Sequence, residues 1–273
     1  MTLNHDAWGA GPTDRYHSLM EPFRPVLTRI RDGAAARERN RLLPHAELGW
    51  LKQAGLTAVR LPAEQGGAGA SLPEFFALLI ELSAADSNLA QALRSHFGFV
   101  EEILQSSDAA HRATWIPRIA RGDTVGSARS EGGAATQAHF DTVATRDRDG
   151  WRIDGAKFYT TGSLYADWLH VAATRAEDGV SVTGLVSRQA PGLVIEDDWD
   201  GFGQRLTASG TARFTQVPVR DADMVEDSSI FPYTLPFYQL VHLATLAGIG
   251  RAAARELAEA VAGRRRSYTH GAA

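Results

Sequence analysis

No cysteine occurs in the 273 residues, which excludes disulfides, thiolate metal ligands and a cysteine nucleophile. No apolar run approaches the roughly 18 residues that a membrane-spanning helix requires. The opening MTLNHDAWGAG has no basic stretch followed by an apolar one. A secretory signal is therefore not expected, and the default is a cytoplasmic protein that does not engage a membrane. Blocks of one charge are also scarce. The formal net charge is −4, and the one dense basic run, Arg264-Arg265-Arg266, sits at the end, too little for a nucleic-acid surface. No GxGxxG follows a strand pattern and no P-loop is present. The histidines are scattered without a carboxylate cluster, so no metal site is expected.

What is present suffices for a sizeable core: 44% of residues are hydrophobic and 22% charged, which fits two or three domains. The early period is helical. Over 16–41, Leu19, Phe23, Val26, Leu27 and Ile30 fall on one side, with Pro22 and Pro25 marking a start or kink. Pro44 opens a short helix that Gly55 ends. Glycines make 56–71 a loop. Ser71 and Glu74 fit a capping box ahead of a buried helix. A helix over 87–106, softly interrupted at Gly98, and another capped by Asp108 complete the region.

After Gly122 the period shortens. Strands are expected over 124–128, 139–146, 151–159, 168–174, 180–186, 193–196 and 211–217, separated by turns such as Asp149-Gly150 and Asp178-Gly179. Many short strands in succession argue for an antiparallel barrel or sandwich. The helical period returns as one long, alanine- and glycine-rich helix over 238–264. A single helix cannot bury its own apolar face, so it packs on the first domain or on another subunit. An exposed stripe there predicts a homo-oligomer. Amid the strands, Thr160-Thr161-Gly162-Ser163 offers small hydroxyls and bare backbone that let a planar ligand approach closely; an ordinary Thr/Ser-rich turn has the same composition.

Three segments, in register between the helical regions, resemble the acyl-CoA dehydrogenase superfamily. Gly126-Ser127-Ala128-Arg129-Ser130-Glu131-Gly132-Gly133 resembles its first flavin-contacting segment. Lys157-Phe158-Tyr159-Thr160-Thr161-Gly162, followed by Ala166-Asp167, resembles the second. Phe202-Gly203-Gln204-Arg205 with Ser209-Gly210-Thr211 looks like the region that closes the middle domain. Departures point to one branch. Ala135, Thr136 and Gln137 stand where the dehydrogenases hold the coenzyme A ester, and Phe158 replaces the flavin-side tryptophan. Those forms, with Ser95-His96-Phe97-Gly98, look like the flavin-dependent monooxygenases that include dibenzothiophene monooxygenase and amine or sugar N-oxygenases.

The resemblance implies an α+β multidomain protein: an N-terminal all-α domain (1–121), a middle antiparallel β-barrel or sandwich (122–230), and the start of a C-terminal four-helix bundle (231–273) whose remainder is missing. It implies the oxygenase component of a two-component system. Reduced FMN would come from a separate NAD(P)H-dependent flavin reductase and react with O2 through a C4a-(hydro)peroxyflavin. One oxygen atom would pass to sulfur or nitrogen of a small substrate, in a homotetramer. The alternative is an acyl-CoA dehydrogenase with bound FAD, and a third reading is a non-catalytic scaffold.

The expected catalytic residues are His96, Thr160 and Ser127; Ser127, Arg129, Ser130, Phe158, Tyr159, Thr160, Thr161, Arg205 and Ser209 are the expected flavin contacts. Thr160 would offer its hydroxyl or N–H near flavin N5 from a small surface turn, Ser130 would hold the pyrimidine edge, and Phe158 would cover a ring face. His96 would protonate the oxygenated flavin, or else is a hydrogen-bonded core histidine. Arg129 contacts cofactor phosphate or substrate, or is a solvated strand residue. Arg205 and Ser209 would lie at the flavin phosphate. Glu131 reads as structural, held by backbone N–H groups.

Overall fold

The computed structural model describes residues 13–132, 140–227 and 231–263. Positions 135–137, the expected strand start at His139 and the expected helix end at Arg264 lie outside them. The chain opens with α1 (Asp14–Met20), α2 (Arg24–Asn40) and α3 (His45–Gln53), followed by α4 (Leu72–Ala92), α5 (Arg94–Gln105) and α6 (Ala109–Ala120). The pattern over 16–41 is thus two helices, with Pro25 tolerated in the first turn of α2. Ser71 and Glu74 form the expected capping box, and Asp108 accepts from the N–H groups of Ala110 and His111.

The break expected at Gly98 occurs elsewhere. Asp86 is non-helical inside α4 (φ −161°, ψ 108°), and its carboxylate caps the continuing segment by accepting from the N–H of Asn88 at 3.1 Å. The same carboxylate accepts from buried Arg37, which also donates to Glu47, so α2, α3 and α4 are tied at one point. Gly98 itself is helical, and a Cβ there would overlap the Tyr238 hydroxyl. Its absent side chain admits a ring; it does not interrupt the helix.

The strands are β1 (Val125–Ala128), β2 (Val143–Asp147), β3 (Gly150–Lys157), β4 (Trp168–Arg175), β5 (Ser181–Ser187), β6 (Leu193–Ile195), β7 (Ala212–Val219) and β8 (Met224–Glu226). They lie in one sheet of order β6-β7-β3-β2-β4-β5-β8, with β1 also paired to β4. Most pairings are antiparallel, but β1 and β2 both run parallel to β4, so the sheet is mixed where an antiparallel one was expected. β1 pairs Trp168 to Val171 and β2 pairs Thr174 and Arg175, so the two lie end to end along one edge of β4. The chain leaves the sheet between them, at Arg129-Ser130-Glu131. Arg129, Ser130 and Glu131 of this excursion line the cleft described below.

The loop Tyr159–Thr161 crosses Thr207–Gly210 beneath the sheet's end. Gly162 sits there at φ +80° and donates its N–H to Thr207 O, and a Cβ would overlap the carbonyl of Ala92 at the end of α4. Left-handed backbone and backbone contact together require glycine. Gly162→Ala is expected to cost about 2 kcal/mol or more, measured as a lowered urea midpoint; an unchanged midpoint would show that the loop simply shifts.

α7 (Thr234–Ala262) returns to the first helices. Phe237 stacks on Phe75, centroids 5.9 Å apart and 6° from parallel, and Phe231, Val241 and Ala244 join the core of Phe75, Leu78 and Leu82. Gly248 lets α7 lie directly on α4 at Ser83. The long helix therefore packs on the first domain along one side, while Leu243, Leu246 and Leu257 on the other side stay exposed. No helix among the described residues is long and apolar enough to cross a membrane.

Candidate active site

A cleft of about 520 Å³ opens where α5, the β1 end of the sheet and the first turns of α7 meet. Helical phase decides what α5 contributes. At about 100° per residue, Arg94, Ser95, Phe99 and Glu102 share the face that lines the cleft. His96 falls on the far side. It is fully buried, its Nε2 lies 2.8 Å from Thr57 O, and its Nδ1 has no partner among the described residues. Burial outweighs that hydrogen bond and lowers its pKa to about 4, so the ring is neutral at physiological pH. In this structure it is the core histidine of the two readings, and Ser95 is the member of the Ser-His-Phe-Gly segment that faces the cleft.

On the sheet side, Ser127, Arg129 and Ser130 line the cleft together. Arg129 is partly exposed but not free. Its guanidinium pairs with Asp227 at 2.8 Å, and Asp227 also accepts from Ser181 and Thr183, each at 2.6 Å. Burial acts to raise the Asp227 pKa, but these donors overcome it and hold the carboxyl down at about 2. Beneath Ser130 lies the buried pair Lys157–Glu131; Glu131 also accepts from the N–H groups of Asp141 at 2.6 Å and Thr142 at 2.9 Å. Burial raises its pKa and the hydrogen bonds, that of Lys157 first, bring it net below the usual carboxylate range. Glu131 is the structural residue the sequence indicated.

Phe158 adjoins the cleft, its N–H donating to Ser130 O at 2.8 Å and its ring against Gly132. It is 37% exposed, and Tyr159 is 62% exposed in left-handed backbone (φ 54°), with Trp199 edge-on at 5.8 Å. Solvent-facing aromatics on strained backbone are costly unless something covers them.

The remaining expected residues lie apart. Thr160 is not at a surface turn: it is fully buried, and both its N–H and its hydroxyl donate to Gly210 O, at 3.0 and 2.8 Å. Thr161 and Ser209 share a buried hydroxyl chain with Thr207, at 2.8 and 2.7 Å. Arg205 reaches Glu38 O on α2. These groups knit the loop crossing together and do not line the cleft.

Two family models account for most of the chain: the N-terminal domain of acyl-CoA dehydrogenase matches residues 22–123 and its middle domain matches 126–217. The chain belongs to the acyl-CoA dehydrogenase family. It is 28% identical over 243 residues to L-evernosamine nitrososynthase of Micromonospora sp. (strain ATCC 39149 / NRRL 15099 / SCC 1413), covering 82% of this chain and 56% of that one. It is 25% identical over 218 residues to the acyl-CoA dehydrogenase-like protein YdbM of Bacillus subtilis (strain 168), covering 78% and 57%. Among solved structures, TdsC, a dibenzothiophene monooxygenase from Paenibacillus sp. A11-2, superposes in its complex with FMN and indole at a TM-score of 0.84. That match has 27% identity over 93% of this chain and 67% of TdsC. The chain spans little more than half the length of the curated relatives it matches.

Several residues on the cleft wall were given no role of their own from the sequence: Arg94, Ser95, His170, His242, Asp227 and Tyr238. The α5 pair was accessible, since it shares a helical face with Phe99. His170, on β4, and Asp227, after β8, come near α5 and α7 only through the sheet order. His170 Nε2 stands 3.4 Å from Glu102. Among the described residues no group of three or more potential ligands could hold a metal ion.

Proposed function

We propose that this chain carries the flavin edge and the substrate cleft of a two-component flavin-dependent monooxygenase. The observation that carries the reading is the juxtaposition of exposed Phe158 and the Ser127–Ser130 shelf at the rim of a cleft walled by aromatic and hydroxyl side chains. The residues fit a flavin: the partly exposed Phe158 ring beside Gly132 offers a flat apolar face, and the Ser130 hydroxyl can donate and accept beside it. Reduced FMN, when bound, supplies the activation of O2. Phe158 covers a ring face, Ser130 and Ser127 hold the edge, and Arg129, fixed by Asp227, keeps the wall in place. Phe99, Phe140 and Phe231 exclude water, so that the oxygen atom is transferred and not lost as peroxide. His170, one of two imidazoles on the cleft wall, is placed to move a proton at the substrate. The nitrososynthase and TdsC similarities support nitrogen or sulfur as the acceptor atom and FMN as the flavin. In this reading a separate NAD(P)H-dependent reductase delivers reduced FMN, and a homotetramer covers the exposed leucines of α7.

The test is binding and oxygen transfer by the full chain. FMN is expected to bind more tightly than FAD, and Phe158→Ala is expected to weaken FMN about three- to tenfold, the worth of one aromatic stacking contact. With chemically reduced FMN, labelled O2 and an indole or thioether probe, label is expected in the product. Bleaching of bound FAD by an acyl-CoA ester, with no oxygen uptake, would instead assign the dehydrogenase activity that similarity to YdbM suggests.

A further inference from the structure

Among the described residues, every carboxylate and arginine on the cleft wall but one has a side-chain partner. Arg129 is paired with Asp227, Glu131 with Lys157 and Glu226 with Arg175, while Glu102 stands 3.4 Å from the ring of His170. Arg94 is the exception. It forms no ion pair or side-chain hydrogen bond among the described residues, and its Nε is buried without an acceptor. Its guanidinium lies 5.2 Å from the centre of the Tyr238 ring. Outside the described residues the sequence carries a single acidic side chain, Asp6.

Stability gives little reason for this placement. Arg94 is partly buried, its Nε is enclosed without an acceptor among the described residues, and desolvation lowers its pKa. Arg94 also stands in the first turn of α5, where the helix dipole disfavours a cation. Gly98, one turn on, leaves no space between α5 and Tyr238, so the ring beneath the guanidinium has no room to move toward α5. A planar donor array thus sits in a cleft where Phe99, Phe140, Phe231 and Tyr238 supply flat apolar surface among polar residues such as Glu102, Thr234, Gln239 and His242.

We propose that the cleft takes a substrate with an aromatic or otherwise flat apolar body and an oxyanion at one end, a carboxylate, sulfonate or phosphate, received by Arg94. The inference rests on the monooxygenase reading only in treating that ligand as substrate. Arginine presents two parallel N–H groups to such an anion, and Ser95 next to it offers a further donor. The neutral analogue leaves the guanidinium unpaired, so discrimination comes from what is lost as much as from what is gained.

The experiment compares 2-naphthoate with 2-naphthamide by calorimetric titration of the flavin-free full chain, together with FMN affinity in parallel. The acid is expected to bind roughly tenfold more tightly than the amide, the worth of one charge-assisted hydrogen-bonded pair. Arg94→Gln is expected to bring the two within about threefold, Arg94→Lys to keep part of the preference, and both to leave FMN affinity within about twofold. Equal binding of acid and amide by the unsubstituted chain, or no binding of either, overturns the proposal without any variant. So does a preference that survives in a folded Arg94→Gln. Loss of FMN affinity in parallel with loss of naphthoate would assign Arg94 to the flavin instead. Failure of the unsubstituted chain to bind FMN would count against the monooxygenase reading and leave the acid–amide comparison standing.

Discussion

Lys157→Met is expected to destabilise the fold by roughly 3–5 kcal/mol, the cost of leaving one member of a buried ion pair alone. Both partners are almost wholly enclosed, with side-chain exposures of 0% for Lys157 and 3% for Glu131. Without the ammonium, Glu131 keeps only the N–H groups of Asp141 and Thr142, too few for a buried carboxylate. Lys157 Nζ also lies 4.3 Å from the centre of the Phe140 ring, where a methionine packs but carries no charge. The pair spans the break between β1 and β2, so its loss releases the shelf that carries Arg129 and Ser130. The checks are urea denaturation and FMN affinity, both of which should fall. Adding Glu131→Gln to Lys157→Met should restore much of the stability, because the orphaned charge is then removed. A single variant that loses less than about 1 kcal/mol would show that water reaches Glu131 and screens it.

The second large effect is acid lability centred on His96. Its folded pKa of about 4 lies below the ordinary 6.5, so the unfolded chain takes up the proton first as pH falls. The contribution is fully present above about pH 6.5 and is lost progressively down to about pH 4. The total is on the order of 3 kcal/mol. Protonation is resisted because the ring is enclosed and its one acceptor, Thr57 O, already takes one N–H, leaving Nδ1 with none. His96→Gln should be less stable at pH 7.5 and flatten the stability profile between pH 6.5 and 4. The Asp227 carboxyl, with a folded pKa of about 2 against 3.8, acts in a lower window, so the two are separable. A profile that keeps its slope in His96→Gln would place the titrating group elsewhere. Activity that vanishes in His96→Gln while folding persists would restore the catalytic reading that burial argues against.

Much of the fold was legible along the chain because its signals are local. The capping box at Ser71 and Glu74, the cap at Asp108 and the turns at Asp149-Gly150 and Asp178-Gly179 each depend on side chains acting within a few residues. The division at Asp86 was readable for the same reason, although its role as an internal cap was not. Gly98 misled because glycine is a weak helix former in isolation. The residue it accommodates, Tyr238, is 140 positions away, and no local rule contains it.

The site divides along the same line. Sequence alone determined the succession of helices, short strands and a long helix. It also determined the family segments at 126–133 and 157–162 and the structural role of Glu131. These follow from periodicity and from residue types whose chemistry is local. Only the tertiary structure decided which of the marked residues share a surface. The phase of α5 turned His96 inward and Ser95 and Arg94 outward. The crossing of two loops took the Thr160, Thr161 and Ser209 hydroxyls into hydrogen bonds with each other and with Gly210. The mixed sheet, with β1 and β2 end to end along β4, brought His170 and Asp227 to the same cleft as α7. A side chain's type is written at its own position, but its direction and its partners depend on segments far along the chain, and those are set by packing.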